Sequence, residues 1–212
     1  MPVFKSGEGN APDWCEMENF ELIELDQDEI KPIERTGKME QLIVCRGTVV
    51  AKTGQIECTL PERGKLDLNG PTPEKLTIRA VRKGALVFRA IGRWKSITGS
   101  GIFEVWNAPP PTCDTPHDYE KTTRFDNHYH DCDEYWIFFE GECRVASEGK
   151  FYDVRPGDCL VTGMGWHHDV VSIEGDQRVK AVYFEGTLEG KKRNDHLWEP
   201  KHGTAEPQKD RI

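Results

Sequence analysis

Within the seven residues from 128 to 134, this chain carries His128, His130 and Glu134, three side chains that bind transition metals. In a β-strand alternate side chains share a face, so the two imidazoles of a His-x-His pair converge while Tyr129 points away. Glu134 follows a short polar turn and opens the run EYWIFF, whose aromatic and branched residues read as the neighbouring strand. Two imidazole nitrogens and a carboxylate oxygen on adjacent strands form a partial site for a divalent transition metal. A third imidazole is available downstream, where the strand-like run Cys159 to Val161 leads through a glycine-rich turn to His167 and His168.

The elements that must hold these residues follow a known pattern. The stretch from Arg124 to Phe184 resembles a cupin, whose motifs are GxxxxxHxHxxx(x)ExxxxxxG and GxxxxxPxGxxHxxxN. His128, His130, Glu134 and Gly141 fall on the first motif, and Gly157, Gly165 and His168 on the second. Thr122, Gly163 and Ser172 depart from it, none at a ligand position. The resemblance implies an all-β, jelly-roll barrel (double-stranded β-helix). It also implies one divalent metal per chain on His128, His130, Glu134 and His168, with His167 as the alternative third histidine. Three imidazoles and one carboxylate leave a six-coordinate metal about two open positions. Fe(II), Mn(II) and Ni(II) suit that donor set; Zn(II) is possible but more often four-coordinate.

Composition narrows the function. The chain has 212 residues, 36% hydrophobic and 31% charged, with a formal net charge of −9. That length can form one large domain or two small ones. The negative balance argues against a nucleic-acid surface, which needs clustered Lys and Arg. The longest apolar run, Tyr135 to Phe139, falls far short of the ~20 residues that cross a bilayer. The first thirty residues are studded with acids, unlike a signal peptide. Seven cysteines without a CxxC pair argue against a disulfide framework, and a cytoplasmic setting is expected. Cys132 reads as a passive small residue of the ligand turn. The expected partner is a small molecule, with no nucleic acid and no membrane; a homodimer is left open.

Along the chain, residues 1–30 read as an acidic N-terminal arm, 31–107 as a degenerate, metal-free cupin repeat, 108–190 as the metal-binding barrel and 191–212 as a polar tail. The repeat rests on two matches. Glu40 and Gly47 mirror Glu134 and Gly141 at an offset of 94 (134 less 40), while the run VRKGALVF from Val81 mirrors VRPGDCLV from Val154 at 73 (154 less 81). The 21-residue difference is assigned to an insertion within 61–80, whose prolines and glycines mark turns. This projection places Glu34, Thr36, Glu40 and Lys95 at the ligand positions, a set suited to a salt bridge and not to a divalent cation.

If Glu134 faces the barrel interior, strand parity turns Trp136 and Phe138 the same way, and Tyr183 on the last strand is a further wall residue. The long polar segment before the first ligand, with His117 and Tyr119, is expected to hang over the metal as a lid. The resemblance is compatible with both Lewis-acid and redox enzymes; the hydroxyl- and acid-rich loop from Asp114 to Asn127 favours a metal-dependent enzyme of Lewis-acid type (isomerase, epimerase or lyase) acting on a small carbohydrate-like or carboxylate substrate. An Fe(II)-dependent dioxygenase and a non-catalytic small-molecule-binding cupin are the alternatives, since the fold alone does not choose the reaction.

Overall fold

The computed structural model describes residues 3–5, 8, 11–69 and 75–212, which form two compact units, Lys5–Trp94 and Met1–Phe4 with Lys95–Ile212. Each is a sandwich of two antiparallel sheets, built from short runs of branched and aromatic residues separated by glycine turns.

The first unit contains β2 (Met17–Leu25), β3 (Ile30–Ile33), β4 (Met39–Arg46), β5 (Thr48–Thr53), β6 (Ile56–Pro61), β7 (Lys65–Asn69), β8 (Leu76–Ala80) and β9 (Ala85–Gly92). Its sheets run β2-β9-β4-β7 and β3-β8-β5-β6, and Leu42, Val44, Ile78 and Val87 pack between them. The second unit contains β10 (Gly99–Val105), β11 (Glu134–Glu140), β12 (Cys143–Ser147), β13 (Lys150–Val154), β14 (Asp158–Thr162), β15 (His168–Ile173), β16 (Val179–Glu185) and a short helix α1 (Glu199–His202). Its sheets run β1-β14-β11-β16-β10, with β1 at Val3–Lys5, and β13-β12-β15. Trp136, Phe138, Val145, Val170 and Ala181 fill its core.

Seven strands keep one order in both units, β7-β4-β9-β2 and β8-β5-β6 matching β14-β11-β16-β10 and β15-β12-β13, while β1 has no counterpart and β3 is matched only by the His128 bridge. Around the glutamates the register is the same too. Glu134 pairs with Thr162 and Glu185; Glu40 pairs with Leu68 and Ile91; 134 less 40, 162 less 68 and 185 less 91 are all 94. A bulge interrupts β11 between Phe138 and Glu140 and β4 between Val44 and Arg46, again 94 apart. Gly141 and Gly47 follow these bulges at φ 76° and 82°, where a side chain is strained, and a Cβ on Gly141 would strike the Arg178 carbonyl.

This register corrects part of the sequence reading. The Val81–Phe88 match set β9 against β14, whereas pairing sets β9 against β16 and β7 against β14. The 21-residue insertion is not needed: the offset changes only from 94 at Leu68 (162 less 68) to 92 at Leu76 (168 less 76), and β7 and β8 occupy 61–80 as ordinary strands, while Gly70, Pro71 and Pro73 of the expected turns lie outside the described residues. The same turn, V-R-x-G followed by apolar residues, stands at the head of both β9 and β14, which are not counterparts, and that produced the wrong match. His168 therefore corresponds to Leu76, since Ser147 pairs with His168 as Thr53 pairs with Leu76, and His128, bridged to His168, corresponds to Ile33. Lys95 is not the counterpart of a ligand.

The expected boundaries shift as well. Residues 17–25 of the supposed arm form a full strand paired with β9, with Met17, Phe20, Ile23 and Leu25 buried. Its acids misled because each is paired: Glu18 meets Arg93 at the surface, and Glu21, on the face of Ile23 and Leu25, meets the buried Arg89. The division falls between Trp94 and Lys95, not after 107, because β10 pairs along its length with β16. The supposed tail docks: Arg193 and Arg211 neutralise Asp131 and Asp133, two buried carboxylates beside the ligands, and Leu197 bridges Tyr129.

Candidate metal centre

The strands of the second sandwich bring His128, His130, Glu134 and His168 together, all buried, with their potential ligand atoms within 4.8 Å of one another. His128 is held by reciprocal backbone bonds to His168, at 3.3 and 2.9 Å, and the His130 carbonyl accepts from the Gly165 N–H at 2.9 Å. Glu134 stands at the first position of β11. His167 turns the other way, towards Glu199 at 3.6 Å and the Tyr129 ring.

The hydrogen bonds behind the rings fix the tautomers. Nδ1 of His128, His130 and His168 lies 2.8, 3.1 and 3.1 Å from the backbone carbonyls of Asp126, Asp195 and Trp166. A carbonyl only accepts, so each Nδ1 carries the hydrogen and each Nε2 presents a lone pair inward. The buried Nε2 atoms of His128 and His130 have no hydrogen-bond partner among the described residues. All three Nε2 atoms face one Glu134 oxygen, at 4.0, 3.3 and 2.6 Å for His128, His130 and His168. Lone pairs and a carboxylate oxygen repel unless a cation lies among them, so this donor set fits a divalent ion with three nitrogens and one oxygen.

Titration reflects the same demand. Burial raises the Glu134 pKa, but charge and hydrogen bonds from His130 and His168, which need protons on those Nε2 atoms where a cation would otherwise sit, outweigh it and hold the group well below the usual carboxylate range. At His128 burial dominates, reinforced by His168, His196 and His130, and pushes the imidazole well below its ordinary value, keeping it neutral and able to ligate.

A cleft of about 420 Å³ opens onto Glu134. Phe103, Phe125, Trp136 and Tyr183 form its apolar wall, and Glu185 and His196 add polar groups. Of the expected wall residues, Trp136 and Tyr183 line it. Phe138 shares the face of Trp136 but lies deeper, in the core with Val145 and Ala181. His117 and Tyr119 are outside the lining too. Their rings stack at 4.3 Å, and the Tyr119 hydroxyl donates to Asp169 at 2.9 Å. The segment expected to act as a lid is fastened down instead. The buried Lys121 ammonium reaches both Asp169 oxygens at 2.9 and 2.7 Å and the Phe125 carbonyl, and Asn127 donates to the Thr115 carbonyl at 3.2 Å.

His196 is the residue sequence reasoning missed. Its ring stacks on His128 with centroids 3.8 Å apart and planes 6° from parallel, and its Nδ1 donates to Asp126 at 2.8 Å, an oxygen that also accepts from the Trp198 indole at 2.7 Å. Asp126, His128 and His196 form a second close group, but His128 Nδ1 is already committed to the Asp126 carbonyl, so this group buttresses the first. The only sequence signal was a His-x-Trp pair, His196 and Trp198, in a polar stretch.

A family model for the AraC-like ligand binding domain matches residues 110–191. The fold aligns with a mutant of Bacillus subtilis oxalate decarboxylase at TM-score 0.56, with 8% identity over 84% of this chain and 69% of that one. The fold is that of the cupins. This cupin is also 38% identical over 214 residues to the "Uncharacterized protein y4oW" of Sinorhizobium fredii, covering 100% of this chain and 97% of the relative. AerE from Microcystis aeruginosa shares the fold at TM-score 0.55, with 9% identity over 79% and 87% of the two chains. Another structure of the Bacillus decarboxylase concerns its Mn(II) centres. No helix among the described residues of this cupin is long and apolar enough to cross a membrane.

Proposed function

We propose that this cupin is a metal-dependent enzyme that takes a small polar molecule into the cleft beside Glu134 and acts on it by Lewis-acid chemistry. The observation that carries the reading is the set of three imidazoles with every Nδ1 engaged behind and every Nε2 turned towards one carboxylate. A divalent ion held there polarises a bound oxygen and stabilises negative charge developing on the substrate. Mn(II) and Fe(II) are the first ions to test, the former because it is named for the Bacillus decarboxylase that shares the fold. The chain's own residues supply the rest: the Asp126 carboxylate orients His196 against the ligand ring, and the aromatic wall excludes water from one side of the cleft. An oxygen-bearing substrate, a hydroxy acid or sugar-like polyol, suits such a centre.

The test is metal content by elemental analysis of protein purified without chelator. One equivalent per chain is expected; His168→Ala should lose it and His167→Ala should keep it. Full occupancy in His168→Ala overturns the assignment. A second reading, a binding module without turnover, is favoured by the match to a ligand-binding domain over residues 110–191. Ligand binding with no product formed, with or without dioxygen, selects it.

A further inference from the structure

The cleft has a charge pattern that the metal centre does not require. Glu185 is 9% exposed, sits beside Glu134 across the β11–β16 pairing, and its side chain accepts no hydrogen bond among the described residues. Its carboxylate lies over Gly99, where any Cβ would strike it, so the glycine makes room for the acid. Asp195 stands at the mouth of the same cleft, and no lysine or arginine is among the lining residues described. Opposite, Phe103, Phe125 and Trp136 meet pairwise with centroids 5.3, 5.3 and 5.1 Å apart, presenting ring faces and edges around one space.

A buried carboxylate without a donor, such as Glu185, is costly and is best satisfied by a ligand that brings donors and positive charge; Asp195 is exposed and accepts from the His196 N–H at 2.9 Å, so it adds negative charge and not an unmet acceptor. Aromatic faces favour the same ligand, because their quadrupole attracts cations. A divalent ion balanced by Glu134 and Glu185 leaves Asp195 in excess. A dianionic substrate would therefore add negative charge where no lysine or arginine meets it and the one lining imidazole described, His196, is already paired with Asp126.

We propose that the cleft selects an organic ammonium: an amine carrying an apolar body, its positive group set against Glu185 and Asp195 and its body against Phe103, Phe125 and Trp136. This rests on the metal reading only for the far end of the ligand, where an oxygen would reach the ion. A substrate satisfying both is amino-bearing and oxygen-chelating, of the amino-alcohol, amino-sugar or amino-acid class, and not an oxalate-like dianion.

Titration calorimetry on the whole chain, as purified with its metal and again after chelator treatment, with benzylammonium, benzyl alcohol and benzoate as matched probes, tests this. Benzylammonium should bind about tenfold more tightly than either of the others. Glu185→Gln should bring it to the level of the alcohol while leaving the alcohol unchanged. If that variant does not fold, Phe103→Leu keeps the burial but removes the ring face, and should weaken benzylammonium more than benzyl alcohol. Benzoate binding as tightly as benzylammonium, no measurable binding of any probe at millimolar concentration, or unchanged selectivity in whichever variant folds overturns the proposal. A protein that holds no metal yet keeps ammonium selectivity overturns the metal reading alone. One that holds metal without the selectivity overturns this inference alone.

Discussion

The two sandwiches repeat one strand order and place a glutamate at the same point of it, yet they treat that glutamate in opposite ways. In the second, Glu134 is ringed by three imidazoles. In the first, Glu40 meets the Arg89 guanidinium at 2.8 Å and accepts from the backbone N–H groups of Thr36 and Gly37 at 2.8 and 3.0 Å. The positions of His128 and His168 hold Ile33 and Leu76, buried in the apolar core. Arg89 pairs with Leu42 and Tyr183 with Trp136, so Arg89 and Tyr183 are counterparts, again 94 apart (183 less 89). A guanidinium exchanged for a phenol, with Ile33 and Leu76 exchanged for two imidazoles, separates a glutamate that is already neutralised from one that needs a cation. The fold tolerates a carboxylate at this inward position in both units; the partners around it decide what it is for.

The largest effect is expected where the permanent cation is removed. Arg89 is 5% exposed along its side chain and Glu40 0%, so Arg89→Ala leaves a buried carboxylate uncompensated and should cost about 3–5 kcal/mol in urea-induced unfolding. Metal content should not change. A loss of metal on this substitution would mean that the first sandwich, too, holds an ion.

Moving the cation across tests the same idea from the other side. Tyr183→Arg should carry a guanidinium to the counterpart of Arg89 and set it against Glu134. The outer anchor Glu21, which pairs with Arg89, is replaced by Gly101 facing Tyr183, so the new charge has Glu134 and Glu185 as its nearest acids. Metal affinity should fall by about 10–100-fold, read by competition with a chelating dye, with the melting temperature little altered. Undiminished affinity would show that the residue at 183 does not decide the matter.

How far the sequence could take this comparison depends on the range of each interaction. His-x-His and the glutamate four residues on were legible because strand parity is local. The duplication was legible at Glu40 and Gly47 because a bulge followed by a left-handed glycine leaves its mark in adjacent residues. The register of β8 and β9 was not, since Val81–Phe88 matches the turn and strand from Val154 to Val161; only the pairing partners tell β16 from β14. His196 could not be read because it reaches the site through Asp126, 70 positions earlier, an interaction without local period. The docking of the C-terminal segment was hidden for the same reason. Arg193 and Arg211 look like solvated charges until Asp131 and Asp133 are seen to be buried.

That C-terminal segment is a further feature of the metal-bearing unit, and acid should test it. Burial raises the Asp131 pKa, but Arg193 outweighs it and holds the carboxyl below the usual range, through bonds of 2.9, 3.0 and 3.1 Å. A carboxyl depressed in the folded state contributes stability above its unfolded pKa of about 3.9 and loses it as pH falls through the lower folded value. Docking should therefore hold from neutrality to about pH 4 and weaken only below. Asp131→Asn should weaken it at pH 7, speeding hydrogen exchange of the Leu197 N–H, bonded to the Tyr129 carbonyl at 3.0 Å, by roughly tenfold. Equal exchange in parent and variant would mean that Arg211 and Asp133 hold the segment by themselves.

The smallest expected effect concerns thiols, a buried one in each sandwich. Cys45 lies in the β4 bulge, where burial pushes its pKa up to about 12. Cys132 lies in the ligand turn, where burial and then the neighbouring Glu185 and Glu134 carboxylates push it higher still. Only the thiolate is a nucleophile, so neither should react at neutral pH despite the position of Cys132 between two ligands. Cys113, exposed in the segment before the first histidine, should be alkylated first by iodoacetamide at pH 7.5, without loss of metal. Mass spectrometry of the partly labelled chain checks the order. Early labelling of Cys132 would mean that the ligand turn opens to solvent far more often than its buried carboxylates and their arginines allow, and the metal centre would then be a mobile one, unlike the fastened glutamate of the first sandwich.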